Sequence, residues 1–289
     1  MFEGVITALV TPFDRGAVDL AKLDELVEAQ IEGGVAALSP CGTTGEAPTL
    51  DLDEKTRVIE RVVKRARDRV PVIAGTGSYS TRETVELTRR AKELGARGAL
   101  VVTPYYNRPS QEGLFRHYTE VAEHGGLPVL LYNVPGRSGV NLLPETAFRL
   151  SAHPNVQAIK EASGSLDQAS RLVAHGRLSV LSGDDSLTVP MMAIGAKGVV
   201  SVASNLLPRP MADLVRAAAT GDAETARVLH LSLFPILRAL FLETNPVPVK
   251  TALRLAGRLN GEVRLPLVPM TRENEEALRV VLVEAGLLP

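Results

Sequence analysis

Eight short apolar runs, each followed by a segment of helical periodicity, constrain this 289-residue chain more than any other feature. The runs fall at 5–9, 36–39, 70–75, 99–103, 128–132, 156–160, 178–182 and 199–202, and most are β-branched or leucine-rich without polar alternation. Strands of that kind are covered on both faces, as in a parallel sheet flanked by helices. The intervening segments supply the covers. In 51–69, Val58, Ile59, Val62 and Val63 share one side while Glu54, Arg57, Glu60 and Arg61 lie largely elsewhere. Ser80, Ser110, Pro144 and Ser165 stand where helices should begin, and Gly33, Gly95 and Gly125 where they should end. Eight strands in strict alternation with helices predict an α/β fold, a closed (β/α)8 TIM barrel over residues 1–221. An open Rossmann sheet is the losing alternative, because Gly75-Thr76-Gly77 lacks the third glycine of a dinucleotide fingerprint, position 80 being Ser80. From Asp222 onward the pattern is purely helical and is broken by Pro246, Pro248, Pro266 and Pro269. This predicts a C-terminal helical appendix over 222–289 that packs on the barrel or builds an oligomer.

Charge and composition exclude several function classes. With 32 Lys+Arg against 33 Asp+Glu and 4% aromatic residues, the chain has neither the basic field nor the stacking surfaces of a nucleic-acid binder. Its longest apolar stretch, 229–242, is interrupted by His230, Pro235 and Arg238, so it reads as a buried helix and not as a membrane span. Met1-Phe2-Glu3-Gly4 shows no basic and apolar leader, and the single Cys41 makes no internal disulfide, so a cytoplasmic location is expected. No metal site is expected either, since none of the five histidines ends a strand; His117 and His124 are expected on helix surfaces.

In a barrel of this type the loops after the C-terminal ends of the strands build the active site. The polar residues there are Thr11, the turn Gly42-Thr43-Thr44-Gly45-Glu46, Thr76, Thr103 with Tyr105 and Tyr106, Tyr132-Asn133, Lys160-Glu161, Ser182-Gly183-Asp184-Asp185 and Ser201. Of seven lysines only Lys160 ends a strand; Lys22, Lys55, Lys64 and Lys92 lie on charged helix faces, Lys197 in a loop and Lys250 in the appendix. A period of two places Lys160 with Val156 and Ala158 on a face taken as the lumen. Burial among apolar groups disfavours an ammonium, and a neutral amine attacks carbonyls to give a Schiff base. That chemistry also needs a proton carrier, and Tyr132 ends the adjacent strand. Read alone, Lys160 is better taken as a strand-end lysine that snorkels to solvent or pairs with Glu161, and Tyr132 or Tyr106 can be an ordinary rim aromatic. Gly42-Thr43-Thr44-Gly45 offers hydroxyls and backbone N–H groups to a small anion such as a carboxylate. Phosphate is disfavoured, because the loop after the seventh strand carries Asp184 and Asp185, read here as helix N-cap and first-turn acids. Cys41 has no strand-end histidine to activate it.

The set Gly42-Thr43-Thr44-Gly45-Glu46, Tyr105-Tyr106-Asn107-Arg108-Pro109, Tyr132-Asn133-Val134-Pro135-Gly136-Arg137, Ile159-Lys160-Glu161-Ala162 and Leu181-Ser182-Gly183-Asp184-Asp185 resembles the dihydrodipicolinate synthase family of pyruvate-dependent lyases. The likeness runs from Gly4 to about Leu288 in the same order. It implies a reaction without a cofactor, in which Lys160 forms a Schiff base with pyruvate and the enamine adds to L-aspartate 4-semialdehyde, the committed step toward lysine and diaminopimelate. It further implies a proton relay of Tyr132, Thr43 and a Tyr106 reaching in from a neighbouring subunit. Thr44 would hold the pyruvate carboxylate, the Val200 carbonyl and Gly183 would line the pyruvate pocket, and Arg137 would receive the semialdehyde's carboxylate. Family members are mostly homotetramers built as dimers of dimers. Lysine-inhibited members resemble each other in having serine, two histidines and asparagine at positions that here hold Ala47, Leu52, Lys55 and Tyr79, while Glu83 and Tyr105 agree with their pattern. Weak or absent lysine inhibition is therefore expected. The rivals are a sister lyase acting on N-acetylneuraminate or a 2-keto-3-deoxy sugar acid, against which Arg137 argues, and a catalytically silent barrel.

Overall fold

The computed structural model describes residues 1–289 and places eight strands in one sheet. They are β1 (Gly4–Ala8), β2 (Ala37–Ser39), β3 (Ile73–Gly75), β4 (Gly98–Val102), β5 (Val129–Asn133), β6 (Val156–Glu161), β7 (Ser179–Ser182) and β8 (Gly198–Ser201). All neighbours are parallel, running from β2 through β1, β8, β7, β6, β5 and β4 to β3. A parallel bridge between Leu38 and Val72 closes the ring. The predicted barrel is therefore the fold, with every strand within a residue or two of its expected start except β3, where Val72 supplies only that bridge.

Successive residues along each strand enter different apolar layers. Ile6, Ala37, Ile73, Leu100, Leu130, Ala158, Leu181 and Val200 fill the lumen, while Val5, Leu38, Val101, Leu131, Ile159 and Val180 belong to the larger shell between sheet and helices. Both sides of the pleat are thus apolar, which is why the strand sequences show no polar alternation. The expected helix signals are also used. Ser80, Ser110 and Ser165 accept from the backbone N–H groups of Glu83, Gly113 and Gln168, and Gly33 and Gly125 cap helix ends.

Three sequence expectations are corrected. Val156 does not face the lumen: Val129 pairs with Val156 but Leu130 pairs with Ala158, so Gln157 bulges out and resets the alternation. Val156 joins the shell, while Ala158 and Lys160 keep the inward face. His117 is not on a surface. It lies on the inward side of helix Gln111–His124 with Leu114, Tyr118 and Val121, its Nδ1 2.9 Å from the Thr81 hydroxyl, and burial pushes its pKa down to about 4. His124 is exposed, as expected. The stretch 229–242 is buried on one face only, through Leu233, Ile236, Leu237 and Leu240, whereas Leu231, Phe234, Phe241 and Leu242 are exposed, because helix Ala223–Ala239 lies on the outside of the chain.

Helices Ala223–Ala239, Val247–Leu255 and Arg272–Glu284 follow the barrel. Leu233, Val247, Leu253, Leu278 and Leu282 belong to the same apolar shell as the barrel's helices. No helix is long and apolar enough to cross a membrane.

Candidate active site

Lys160 is the sixth strand's inward-facing residue near its C-terminal end, paired in register with Tyr132 on β5 and Leu181 on β7. It is 5% exposed, and its Nζ stands 4.0 Å from the centroid of the Tyr132 ring. An ammonium there faces a π surface in place of a carboxylate partner. Gly183 makes the room. A Cβ at that position would lie 2.5 Å from Ala162 Cβ and 3.1 Å from Lys160 Cε, so any larger residue would push the lysine aside.

The turn after β2 is held from several sides. It begins and ends on left-handed residues, Cys41 at φ 57° and Glu46 at φ 56°, a conformation that non-glycine residues adopt only under outside constraint. Thr11 Oγ1 donates to the Gly45 carbonyl at 2.7 Å. Gly75 lets the next strand come close, since a Cβ there would meet the Cys41 carbonyl at 2.2 Å. Burial pushes the Cys41 thiol up to about 12, which leaves it unreactive as a nucleophile. The last constraint comes from the appendix. Lys250 Nζ donates to Glu46 Oε1 at 2.6 Å and to the Thr11 carbonyl at 2.8 Å, both side chains of the ion pair being buried, and the Arg264 backbone N–H donates to Glu46 Oε2 at 3.0 Å.

A cleft of about 440 Å³ opens beside Tyr132 and is lined by Thr43, Tyr132, Val134, Arg137 and Tyr105. Arg137 stands in the short helix Pro135–Ser138 and donates to the Asn245 carbonyl at 3.3 Å. Thr44 is buried behind the turn, where its Oγ1 accepts from Asn245 Nδ2 at 3.0 Å. Val200 is fully buried on the lumen face of β8. Ala47, Lys55, Tyr79, Glu83 and Tyr105 line the outer part of the same cleft, with the Tyr79 and Tyr105 rings edge to face at 5.5 Å. Burial, then Glu83, push the Tyr105 phenol up.

The chain thus gathers Lys160, Tyr132, Gly183, Thr43, Thr44, Arg137 and Val200 around one end of the barrel. Tyr106 does not join them: it is 92% exposed, at a left-handed φ of 71°. Asp184 and Asp185 take the expected N-cap and first-turn positions of a short 3-10 helix, Asp185–Leu187, but capping is not the work of their carboxylates. Asp184 makes no side-chain cap, and Asp185 accepts from the Ser201 hydroxyl and from the backbone of Val202 at 2.9 Å and Ala203 at 3.0 Å, which ties the loop after β8 to the loop after β7. Burial raises both carboxyl pKa values against the pull of the Lys160 ammonium. Sequence reading missed Asn245, Lys250 and this role of Asp185. Pro246 was read only as a helix break, and nothing local to the segment names Thr44, 201 positions away, as the partner of Asn245.

A buried amine against a phenol, hydroxyls on a rigid turn and a guanidinium at the cleft mouth suit imine chemistry on a carboxylated carbonyl compound. Comparison with known proteins agrees. Residues 1–285 match the dihydrodipicolinate synthetase family. The 4-hydroxy-tetrahydrodipicolinate synthase of Geotalea daltonii is 59% identical over 290 residues, covering all of both chains. The crystal structure of dihydrodipicolinate synthase from Thermotoga maritima superposes with a TM-score of 0.98 at 47% identity over 100% of both chains. That of the Acinetobacter baumannii enzyme complexed with pyruvate gives 0.98 at 44% identity, again over 100% of both. With near-complete coverage at such identity and the lysine, tyrosine and turn in place, the chain belongs to the dihydrodipicolinate synthetase family.

Proposed function

We propose that this chain acts as its relatives are named to act, as a lyase that condenses pyruvate with L-aspartate 4-semialdehyde to 4-hydroxy-tetrahydrodipicolinate, with Lys160 as covalent nucleophile. The observation that carries the reading is the buried Lys160 amine, 4.0 Å from the centroid of the Tyr132 ring, which itself lines the cleft that reaches Arg137. The amine adds to the pyruvate ketone, and the carbinolamine loses its hydroxyl as water with a proton delivered by Tyr132. Loss of a methyl proton from the imine gives the enamine, whose carbon attacks the aldehyde. The semialdehyde's own amine then attacks the imine carbon, closing the ring and releasing the Lys160 amine. Thr44 holds the pyruvate carboxylate through its hydroxyl and N–H, Gly183 and the Val200 carbonyl bound the pyruvate moiety, and Arg137 pairs with the second substrate's carboxylate. The scheme needs neither cofactor nor metal.

Tyr106, with Thr43 and Tyr132, completes the proton relay in this reading, and a side chain exposed at 92% reaches a cleft only in a second copy of the chain. A homotetramer built as a dimer of dimers, in the cytoplasm, belongs to the same reading. Sedimentation of Tyr106→Phe and wild type tests it: a fully active monomer would remove Tyr106 from the mechanism. Lysine inhibition is expected to be weak, and a clear loss of turnover in millimolar lysine at saturating pyruvate would refute that.

The deciding assay mixes both substrates and follows product through a coupled dihydrodipicolinate reductase, with Lys160→Ala as control. Turnover in the wild type and none in the variant is the expected result. No wild-type turnover would refute the synthase reading, and borohydride reduction in the presence of pyruvate would then separate a sister lyase from a silent barrel.

A further inference from the structure

Asn245 stands where the two carboxylate-binding groups of the proposed reaction meet. Its Nδ2 donates to Thr44 Oγ1 at 3.0 Å, and its backbone carbonyl accepts from Arg137 at 3.3 Å. Both Asn245 and Thr44 are buried, at 6% and 2% exposure. A threonine hydroxyl owns one hydrogen and two lone pairs. With one lone pair taken by the amide N–H, its hydrogen stays free for another acceptor. Asparagine here therefore presents Thr44 as a donor, which is what a carboxylate requires; an aspartate would take that hydrogen for itself and set a like charge beside the ligand. The segment is anchored twice to the same turn, by Asn245 on Thr44 and by Lys250 on Glu46.

We infer that Asn245 is a positioning residue of the active site: its side chain fixes the Thr44 hydroxyl as donor to the keto acid's carboxylate, and its carbonyl sets the Arg137 guanidinium for the carboxylate of the second substrate. The inference rests on the roles given above to Thr44 and Arg137. It makes the appendix part of the binding site, and it divides the work of one residue between side chain and backbone. A side-chain change should therefore disturb the two substrates unequally.

The test is steady-state kinetics in both substrates on Asn245→Leu, Asn245→Asp, Thr44→Val and the Asn245→Leu/Thr44→Val double variant, with thermal melting of each. Asn245→Leu should raise KM for pyruvate about tenfold while changing kcat and the semialdehyde KM by about threefold or less. Asn245→Asp, which keeps the shape, should raise the pyruvate KM further. In the Thr44→Val background the leucine change should add nothing to the pyruvate KM, because the hydroxyl it supports is gone. An equal KM rise in both backgrounds, or parallel losses for both substrates and kcat, would reduce Asn245 to scaffolding and overturn the inference. Should Asn245→Leu fail to fold, an unchanged pyruvate KM in Asn245→Asp overturns it instead. If Thr44→Val itself leaves the pyruvate KM unaltered, the reading of Thr44 is what has failed, and the inference falls with it.

Discussion

Two lysines are buried in this chain, and their surroundings differ in kind. Lys250, 1% exposed, gives its ammonium to Glu46, to the Thr11 carbonyl and to the face of Phe13 at 4.3 Å, where the Arg264 guanidinium also rests. Burial lowers its pKa, opposed by the attraction of Glu46. Lys160, 5% exposed, faces an aromatic ring and lies at longer range from Asp184 and Asp185, whose own carboxyl pKa values burial has raised. A buried ammonium with its counter-charge in contact is a fastener, because proton loss or chemistry would strand the carboxylate. One that faces a phenol ring, with no carboxylate in contact, leaves no partner stranded if its nitrogen is used for chemistry, as the proposed function requires of Lys160. Depth of burial does not separate the two; the presence of a contacting carboxylate does.

That contrast can be broken most sharply at Lys160. Lys160→Ala should lower turnover by at least about three orders of magnitude in the coupled assay while the melting temperature stays or rises, since no paired charge is orphaned. A collapse in stability would erase the distinction. Lys250→Met should do the reverse, costing about 3–5 kcal/mol in denaturant unfolding by leaving Glu46 buried without a cation, and Glu46→Gln added to it should restore part of the loss. His117 lies outside both lysine regions and supplies an acid control. Its folded pKa of about 4 lies below the ordinary 6.5, so its contribution is full above 6.5 and is lost as pH falls from there toward 4, on the order of 3 kcal/mol in all. His117→Gln should flatten stability over that window. The smallest effect belongs to Glu54, whose carboxyl the Arg264 guanidinium holds below the usual value of 4.5. That stabilisation is present above 4.5 and fades as pH drops through the lowered pKa, and Glu54→Gln should cost about 1 kcal/mol near neutrality, less in high salt.

The barrel was legible because its signal is local. Runs such as 99–103 are apolar on both faces whatever they pack against, and serines at 80, 110 and 165 cap the next turn of their own chain. Lys160 was legible for the same reason, as the one lysine at the end of an apolar run. What escaped was a local phase shift, a misjudged helix face and contacts between residues distant in the chain. The Val156 assignment failed because one bulged residue, Gln157, shifts the phase of a strand without altering its composition. His117 was misplaced although its spacing from Leu114, Tyr118 and Val121 puts it on the buried stripe of its own helix; what the sequence did not show is the Thr81 hydroxyl that satisfies the ring there. Asn245 meets Thr44 across 201 positions and Lys250 meets Glu46 across 204, and no periodicity in either segment announces its partner.

Those long intervals also set an order in time. A ribosome adding roughly 5–20 residues per second delivers Thr44 and Glu46 some tens of seconds before Asn245 and Lys250. By Ser201 all eight strands have been made, yet the turn after β2 still lacks its amide and its cation. Translation that stops between Lys160 and Asn245 therefore yields a fragment that carries the lysine but not the contacts of the turn, so that, if the proposed roles hold, turnover reports a chain synthesised past Lys250.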